Sequence, residues 1–421
     1  MSYSSNIATS LATKFAASFI TLGVSIISAR ELGSEKFGEI SLIVLAVAIT
    51  MIVGGLLGGP NLIYFTPRKK IIYLLIPAYI NSVICAVIVP IVLGAFHLFN
   101  IDFLFYVCLI SFTQGLFNAH MYILLGLEKL NAYNFISIIQ SVIIISSLSI
   151  YIYIMELNQI DGFLLSLIFS FTICFLLTIP FVHQKKYSDE KSGYSNTMKD
   201  MIVYGFIMQV AGIFQQLNYR LTYYIIHSQL GDAKLGIFAL TMQIAEGVLL
   251  ISRSVSMVLF SKLSNLSIVE SITDKTNTTL KFSYSSTFFF LLFLLILPAS
   301  FYEFIFSKDF SETKIILWYI APGIMFLAIQ TVLSSYFGSV GKIRVNALGS
   351  FVGLVVISII VWPLMLIFDL TGGAIANVIS YFSSLMVALI FYVRIEKMPF
   401  SSMLITKKDI EKYLKAFKFK K

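Results

Sequence analysis

The sequence predicts an all-α protein that crosses a membrane about 12 times, with its helices in two parallel-repeat bundles of six. Three observations predict it. First, 58% of the 421 residues are hydrophobic, about 244 positions, while only 12% are charged, roughly half the share usual in a soluble domain. Second, the apolar runs are long and continuous, where a membrane barrel would show short alternating segments. Third, a short motif recurs at corresponding places in the two halves of the chain.

At about 20 residues per crossing, this apolar content suffices for roughly 12 spans and leaves almost nothing for a separate soluble domain. A water-soluble chain of this composition would lack the polar surface to cover itself. Soluble enzymes, disordered chains and secreted disulfide scaffolds are thereby excluded. Cys85, Cys108 and Cys174 all lie inside apolar runs and read as small core residues.

In chain order, apolar windows broken by charged or Gly/Pro-bearing turns predict spans at 7–28, 39–59, 71–94, 103–125, 134–154 and 161–182. A second set follows at 200–227, 236–259, 281–300, 315–337, 347–366 and 374–394. The first is read as a retained helix. No basic run precedes its apolar stretch, which contains Lys14, and no cleavage site follows. Between spans 6 and 7 lies the longest polar gap, 183–199, which divides the chain. The predicted organisation is a lobe at 1–182, a linker at 183–199, a lobe at 200–394 and a basic tail at 395–421. In the tail, Ile410, Tyr413, Leu414 and Phe417 share one face of a lysine-rich segment, the pattern of an interfacial helix on an anionic leaflet.

The motif lies after spans 1 and 7. LGSEKFG (Leu32 to Gly38) and LGDAKLG (Leu230 to Gly236) share Leu, Gly, Lys and Gly at an offset of 198 residues. A weaker echo links Gly126 and Asn134 with Gly338 and Asn346. Six helices per repeat is an even number, so both halves run in the same direction through the membrane. Lys and Arg are distributed unevenly. Twenty-two fall in one set of loops and the tail, five in the opposite loops, and Lys14, Arg220 and Arg253 lie within spans. The positive-inside rule then puts both termini in the cytoplasm.

A charge at bilayer depth costs at least about 2.5–3.5 kcal/mol on insertion scales, so it faces the bundle interior or water and marks a candidate site. Lys14, Arg220, Glu246 and Arg253 are the four. Helical spacing puts Ser10, Lys14, Ser18, Thr21 and Ser25 on one face of span 1, and Gln209, Gly212, Gln216, Arg220, Tyr223 and His227 on one face of span 7. Span 8 adds Gln243, span 4 adds Gln114 and Asn118, and span 10 adds Gln330. Polar stripes on corresponding helices suggest a hydrophilic hollow between the lobes. Three cations against one carboxylate point to an anionic ligand, with phosphate or pyrophosphate the natural match for Lys14, Arg220 and Arg253. Glu246 is a candidate proton or Na⁺ site. No catalytic group, resident cofactor or metal site is expected: the four histidines have no ligand spacing with Cys or carboxylates. Gly54 to Pro60 (GGLLGGP) lacks the lysine of a phosphate-binding loop and reads as a close-packed or broken helix end. The sequons at Asn265 and Asn277 fall on the cytoplasmic side.

Four stretches carry a family resemblance. SARELGSEKFGEISLIVLA (Ser28 to Ala46), GLEKLNAYNFI (Gly126 to Ile136), QQLNYRLTYYIIHSQLGDAKLGIFAL (Gln215 to Leu240) and TGGAIAN (Thr371 to Asn377) resemble turns of the polysaccharide/O-antigen flippase (Wzx) branch of the multidrug/oligosaccharidyl-lipid/polysaccharide (MOP) exporter superfamily. The resemblance implies two six-helix lobes in a V that rock between inward- and outward-open states. It also implies a cationic cavity for a glycan–pyrophosphate head whose undecaprenyl tail stays in lipid. Expected with it are a place in the bacterial inner membrane, an H⁺ or Na⁺ gradient as the coupling source, and a polysaccharide polymerase and chain-length regulator as partners, with no nucleic acid. Where that branch often has an Asp before the Arg of span 7, this chain has Tyr219. The peptidoglycan-precursor relatives carry two additional helices, so 12 spans fit the polysaccharide branch better. The competing readings are a multidrug/cation antiporter of the same superfamily, which favours an acidic cavity, and a membrane glycan polymerase or ligase. The latter generally needs a large outer loop or an acidic catalytic motif, whereas the longest outer loop here, around 301–314, holds only Glu303, Asp309 and Glu312.

Overall fold

The computed structural model describes residues 3–59, 61–182, 194–264 and 270–403. The side chains of 3–15, 18, 194–196, 203–205, 207–211, 258, 261, 262, 264, 270, 271, 400 and 401 lie outside the description. So do residue 60, segment 183–193 of the expected linker, segment 265–269 and the tail from 404.

Among the described residues there are helices and no strands: α1 Tyr3–Gly58, α2 Asn61–Phe65, α3 Ile71–Ala95, α4 Leu104–Gly126, α5 Leu130–Tyr153, α6 Gln159–Val182, α7 Tyr194–Ser264, α8 Glu270–Ile296, α9 Ala299–Phe306, α10 Thr313–Ser339 and α11 Arg344–Glu396. Nine of the helical stretches are long and apolar enough to cross a membrane. Three helices are too long for one crossing. At 1.5 Å per residue a straight 56-residue helix would run about 84 Å, against about 30 Å of hydrocarbon. Each of the three breaks at one residue: α1 at Gly33 (φ 71°), α7 at Gly231 (φ 79°) and α11 at Asp369 (φ 56°). Glycine adopts a positive φ freely, whereas Asp369, with ψ −138°, lies outside the left-handed helical region that Asp tolerates and is strained. At Asp369 the chain doubles back, for a Cβ on Gly372 would meet the Leu364 carbonyl oxygen at 2.2 Å, two atoms that a straight helix keeps about 12 Å apart. Dividing these three helices gives 12 spans: 3–32, 34–58, α3, α4, α5, α6, 194–230, 232–264, α8, α10, 344–368 and 370–396.

The chain is therefore an all-α polytopic membrane protein, as the apolar windows predict, but its turns are tighter. The sequence suggests about ten residues of loop after spans 1 and 7, where the structure bends at a single glycine. The polar stretches RELGSEK and QLGDAK are good helix formers, so both helices continue past the hydrocarbon before reversing. The expected 301–314 loop is likewise occupied by α9 and a short 3₁₀ turn at Lys308–Phe310.

The six early spans pack through α3–α4, α4–α6 and α5–α6, and the later ones through α10 with α7, α8 and α11. In lipid, helices associate through close packing and polar contacts, not through a hydrophobic driving force. The later lobe has such a seam. Thr222 donates to Asn377 Oδ1 (2.9 Å), Ser380 to Asn218 Oδ1 (2.6 Å) and the Gly353 carbonyl (2.9 Å), and Ser384 to the Gly349 carbonyl (2.9 Å). In the early lobe, buried His120 stands between the hydroxyls of Tyr79 and Thr178 (2.5 Å to Thr178) and packs on Phe175, with ring centroids 4.7 Å apart. Thr178 Oγ1 gives its own proton to the Phe175 carbonyl (2.5 Å), so it accepts from His120 Nδ1, and Tyr79 donates to Nε2.

The turns with few Lys and Arg gather at one end of the bundle. There Lys36 donates to Gln159 (3.0 Å), Tyr153 to Glu31 (2.7 Å) and Asn100 to Glu39 (3.0 Å). At the basic end, Lys69 faces Asp200 (3.6 Å) and Lys129 donates to the Phe181 carbonyl (2.8 Å). Tyr336 and Thr273 both donate to Glu396. Asn277 accepts from Tyr392 (3.0 Å) and so sits in a packed contact.

Candidate substrate site

Three of the four intramembrane charges have described side chains, and they meet. Span 7 rises to Gly231 and span 8 descends from it. Counted along the helices, Arg220 lies about 16 Å and Glu246 about 22 Å from that turn, so both fall within the membrane-spanning lengths of the hairpin. Arg253, two turns further along span 8, lies nearer the basic end. Glu246 faces both guanidiniums, with Oε1 3.9 Å from Arg220 Nη2 and Oε2 3.9 Å from Arg253 Nη2. Neither distance is a hydrogen bond, which closes at about 2.7–3.2 Å. The pairs are loose, and both arginines retain N–H donors for a further acceptor. Exposures of 33% for Arg220, 24% for Glu246 and 53% for Arg253 leave the group open on one side.

Aromatic residues fix Arg220. Its Nη1 donates to the Tyr223 hydroxyl (2.8 Å) and its guanidinium lies 5.1 Å from the Tyr223 ring centroid, a hydrogen bond combined with a cation–π contact. Tyr223 is buried and packs edge-on against Phe238 of span 8. Beside it, Tyr219 receives the Gln215 amide (3.1 Å) and meets the buried Tyr381 ring of span 12 edge-on at 5.6 Å. Tyr223 shares its helix face with Arg220 and is legible in sequence. Tyr381, 135 residues downstream of Glu246, has no local signal and is brought in only by the packing of span 12.

Lys14, Ser18 and Gln209 sit in helical backbone, but their side chains lie outside the described residues. Thr21 is exposed and donates to its own helix (2.9 Å to the Ala17 carbonyl). Gln114 and Gln216 are half-buried. Gln330 has a buried Oε1 that meets no donor among the described residues. Asn118 reaches Met51 Sδ (3.7 Å) and lines, with Gly54, Gly55, Gly58, Gly59 and Tyr122, a pocket of about 240 Å³ inside the early lobe. The Gly-rich run thus borders a void, and α1 ends within it at Gly58, the broken end of the two alternatives that the sequence offers.

The two described guanidiniums come from the later lobe, and Lys14, the cation expected from the early one, has its side chain outside the described residues. Shifted by 198 residues, the counterparts of Arg220, Glu246 and Arg253 are Leu22, Ala48 and Gly55, so the early lobe presents neutral positions at those places. The resulting cluster carries two positive charges around one negative charge. It can hold an acceptor-rich anion between planar donors.

Comparison with known proteins agrees with this architecture. No family model matches. A curated relative, the capsular polysaccharide biosynthesis protein CapF of Staphylococcus aureus, is 27% identical over 279 residues, covering 65% of this chain and 67% of its own. Among solved structures, a MOP superfamily transporter from Pyrococcus furiosus with a binding pocket of reversed polarity superposes with TM-score 0.69 at 14% identity, over 94% of this chain and 96% of that one. A MATE multidrug transporter in an inward-facing conformation gives 0.66 at 13%, over 94% and 95%. The lipid II flippase MurJ in an inward closed conformation gives 0.65 at 17%, over 97% and 92%. These likenesses extend over nearly the whole chain, and they give it the fold of the MOP transporter superfamily.

Proposed function

We propose that this chain is a Wzx-type flippase. In this reading it moves an undecaprenyl-pyrophosphate-linked oligosaccharide from the inner to the outer leaflet of the bacterial cytoplasmic membrane by alternating access, with both termini cytoplasmic. The observation that carries the reading is the Arg220–Glu246–Arg253 cluster, which lies within spans 7 and 8 with one positive charge in excess. A pyrophosphate offers enough acceptor oxygens to engage both guanidiniums at once. Its anionic head would otherwise meet hydrocarbon at several kcal/mol. The CapF relative, named for capsular polysaccharide biosynthesis, supports a glycan substrate. The cation-antiporter reading asks for an acidic cavity, the opposite balance to that among the described residues.

Arg220 and Arg253 hold the phosphates from the later lobe, with Lys14 assigned to the same head from span 1. Tyr223 orients Arg220. Glu246 holds the guanidiniums apart and screens them while the site is empty, so the anion displaces it only in part. It is also the group assigned to H⁺ or Na⁺ coupling. The membrane potential supplies a drive of its own, since moving two negative charges outward against 100 mV, inside negative, releases about 4.6 kcal/mol.

The test is reconstitution. Proteoliposomes loaded with a fluorescent undecaprenyl-pyrophosphate oligosaccharide should show protein-dependent loss of quenching as the headgroup changes leaflet, and free inorganic pyrophosphate should compete. A flipping rate no higher than in protein-free vesicles would reject the assignment.

A further inference from the structure

We propose that the two Leu-Gly-x-x-Lys-x-Gly turns form a glycine clasp that shuts the bundle at the end opposite its lysine-rich loops, and that the parting of this clasp opens the central site at that end. The inference builds on the alternating-access reading above. A Cβ placed on Gly38 would stand 1.9 Å from the Asp232 carbonyl oxygen, and a Cβ placed on Gly236 would stand 1.9 Å from the Ser34 carbonyl oxygen. Residues 34 and 232, like 38 and 236, differ by 198. The same contact is therefore made twice, with the roles of the lobes exchanged. No side chain fits in either place.

The shared glycines and lysines of the motif each have a job in this arrangement. Gly33 and Gly231 turn the chain at φ 71° and 79°. Lys36 ties its turn to Gln159 (3.0 Å) and Lys234 ties its turn to Glu312 (2.6 and 2.8 Å), each within its own lobe. Each turn is thus anchored to its own lobe, and at Gly38 and Gly236 the two turns meet through backbone. Asp232 turns its carboxylate back to His227 (2.7 Å), away from the contact. Among the described residues no ion pair joins the two turns, so the clasp can part without separating charges. The segment from α9 to the 3₁₀ turn lies across it, with Phe310 edge-on to Phe37 at 5.8 Å and an Asp309 carboxylate oxygen 2.8 Å from where a Cβ on Gly33 would be. Ser307 leads into that 3₁₀ turn at φ 136°, a strained angle for a residue other than glycine, as expected of a segment that changes conformation.

The test places spin labels at Glu35 and Ala233, which are exposed and occupy equivalent positions on the two turns. Double electron–electron resonance on the full chain in nanodiscs reads the separation. The intact chain should give a short-distance population. Gly38→Ala and Gly236→Ala should each lower it at least fivefold in favour of a longer one. Gly58→Ala, whose added Cβ meets nothing within 4 Å, should leave the distribution unchanged. An unchanged distribution in both clasp variants would overturn the proposal. If neither variant folds, the glycine-intact labelled chain decides. Two populations whose ratio moves with inorganic pyrophosphate support the clasp, and one distance invariant under all conditions overturns it. No glycan enters the measurement, so failure of the clasp and failure of the flippase reading are seen separately.

Discussion

Neutralising Glu246 distinguishes a ligand cradle from a structural salt bridge, because the two accounts predict opposite signs. In Glu246→Gln the carboxylate now 3.9 Å from each guanidinium becomes a neutral amide of the same shape. If the cluster exists to bind an anion, its charge rises from about +1 to about +2. A phosphate bridging both guanidiniums lies about 6 Å from residue 246. Removing one negative charge there lowers the energy of a dianion by about 1.4 kcal/mol even at the dielectric constant of water. That is about tenfold in affinity, and more where the site is drier. Titration calorimetry of the protein in nanodiscs with inorganic pyrophosphate should therefore show Glu246→Gln binding at least tenfold tighter than the unsubstituted chain, with the gain shrinking as salt rises. Turnover of the lipid-linked substrate should fall, since a head held more tightly leaves more slowly. If Glu246→Gln instead weakens pyrophosphate binding and lowers the unfolding temperature, Glu246 serves to hold the arginines in place, and the cradle reasoning is refuted.

Three further outcomes follow from the packing. Tyr223→Phe removes the 2.8 Å hydrogen bond to Arg220 but keeps the ring, and should weaken pyrophosphate binding about fivefold, the worth of roughly one hydrogen bond, with little change in thermal stability. Gly353→Ala would put a Cβ 2.1 Å from Ser384 Oγ and 2.5 Å from Asn218 Nδ2, and should cost about 1–3 kcal/mol by overpacking the seam of spans 7, 11 and 12, read as a lower unfolding midpoint in detergent. His120→Ala leaves the Tyr79 hydroxyl without its acceptor and Thr178 without its donor in a fully buried place. It should destabilise the protein by at least about 2 kcal/mol in the same assay, with the pyrophosphate affinity of the surviving folded fraction unchanged.

Much of the fold is legible in the sequence because the membrane imposes it. A continuous apolar run of span length has few alternatives to a helix, since every backbone group must be satisfied without water. The internal repeat is legible too, but its meaning is not. That Gly38 and Gly236 face each other's lobes depends on packing between residues 198 positions apart, which no local pattern encodes. The same holds for the site. Arg220, Glu246 and Arg253 stand out as costly charges, and their shared helix faces are readable from spacing. That one carboxylate serves both arginines follows only from the hairpin at Gly231. Gln330 and Asn118 illustrate the opposite limit. Polar residues at helical spacing are visible in sequence, yet their depth and direction depend on neighbours brought in by distant spans. Their places are a buried Oε1 in the later lobe and the rim of a 240 Å³ pocket in the early one.

The central claim is that the paired guanidiniums carry the substrate's phosphates through the membrane. It is tested most directly by the initial flipping rate of a fluorescent lipid-linked oligosaccharide in proteoliposomes containing Arg220→Ala, Arg253→Ala or the unsubstituted chain at matched density. The account predicts at least a tenfold loss for Arg220→Ala, a smaller loss for the more exposed Arg253→Ala, and partial recovery in Arg220→Lys, which keeps the charge without the planar fork. Equal rates in the alanine variants and the unsubstituted chain would contradict it.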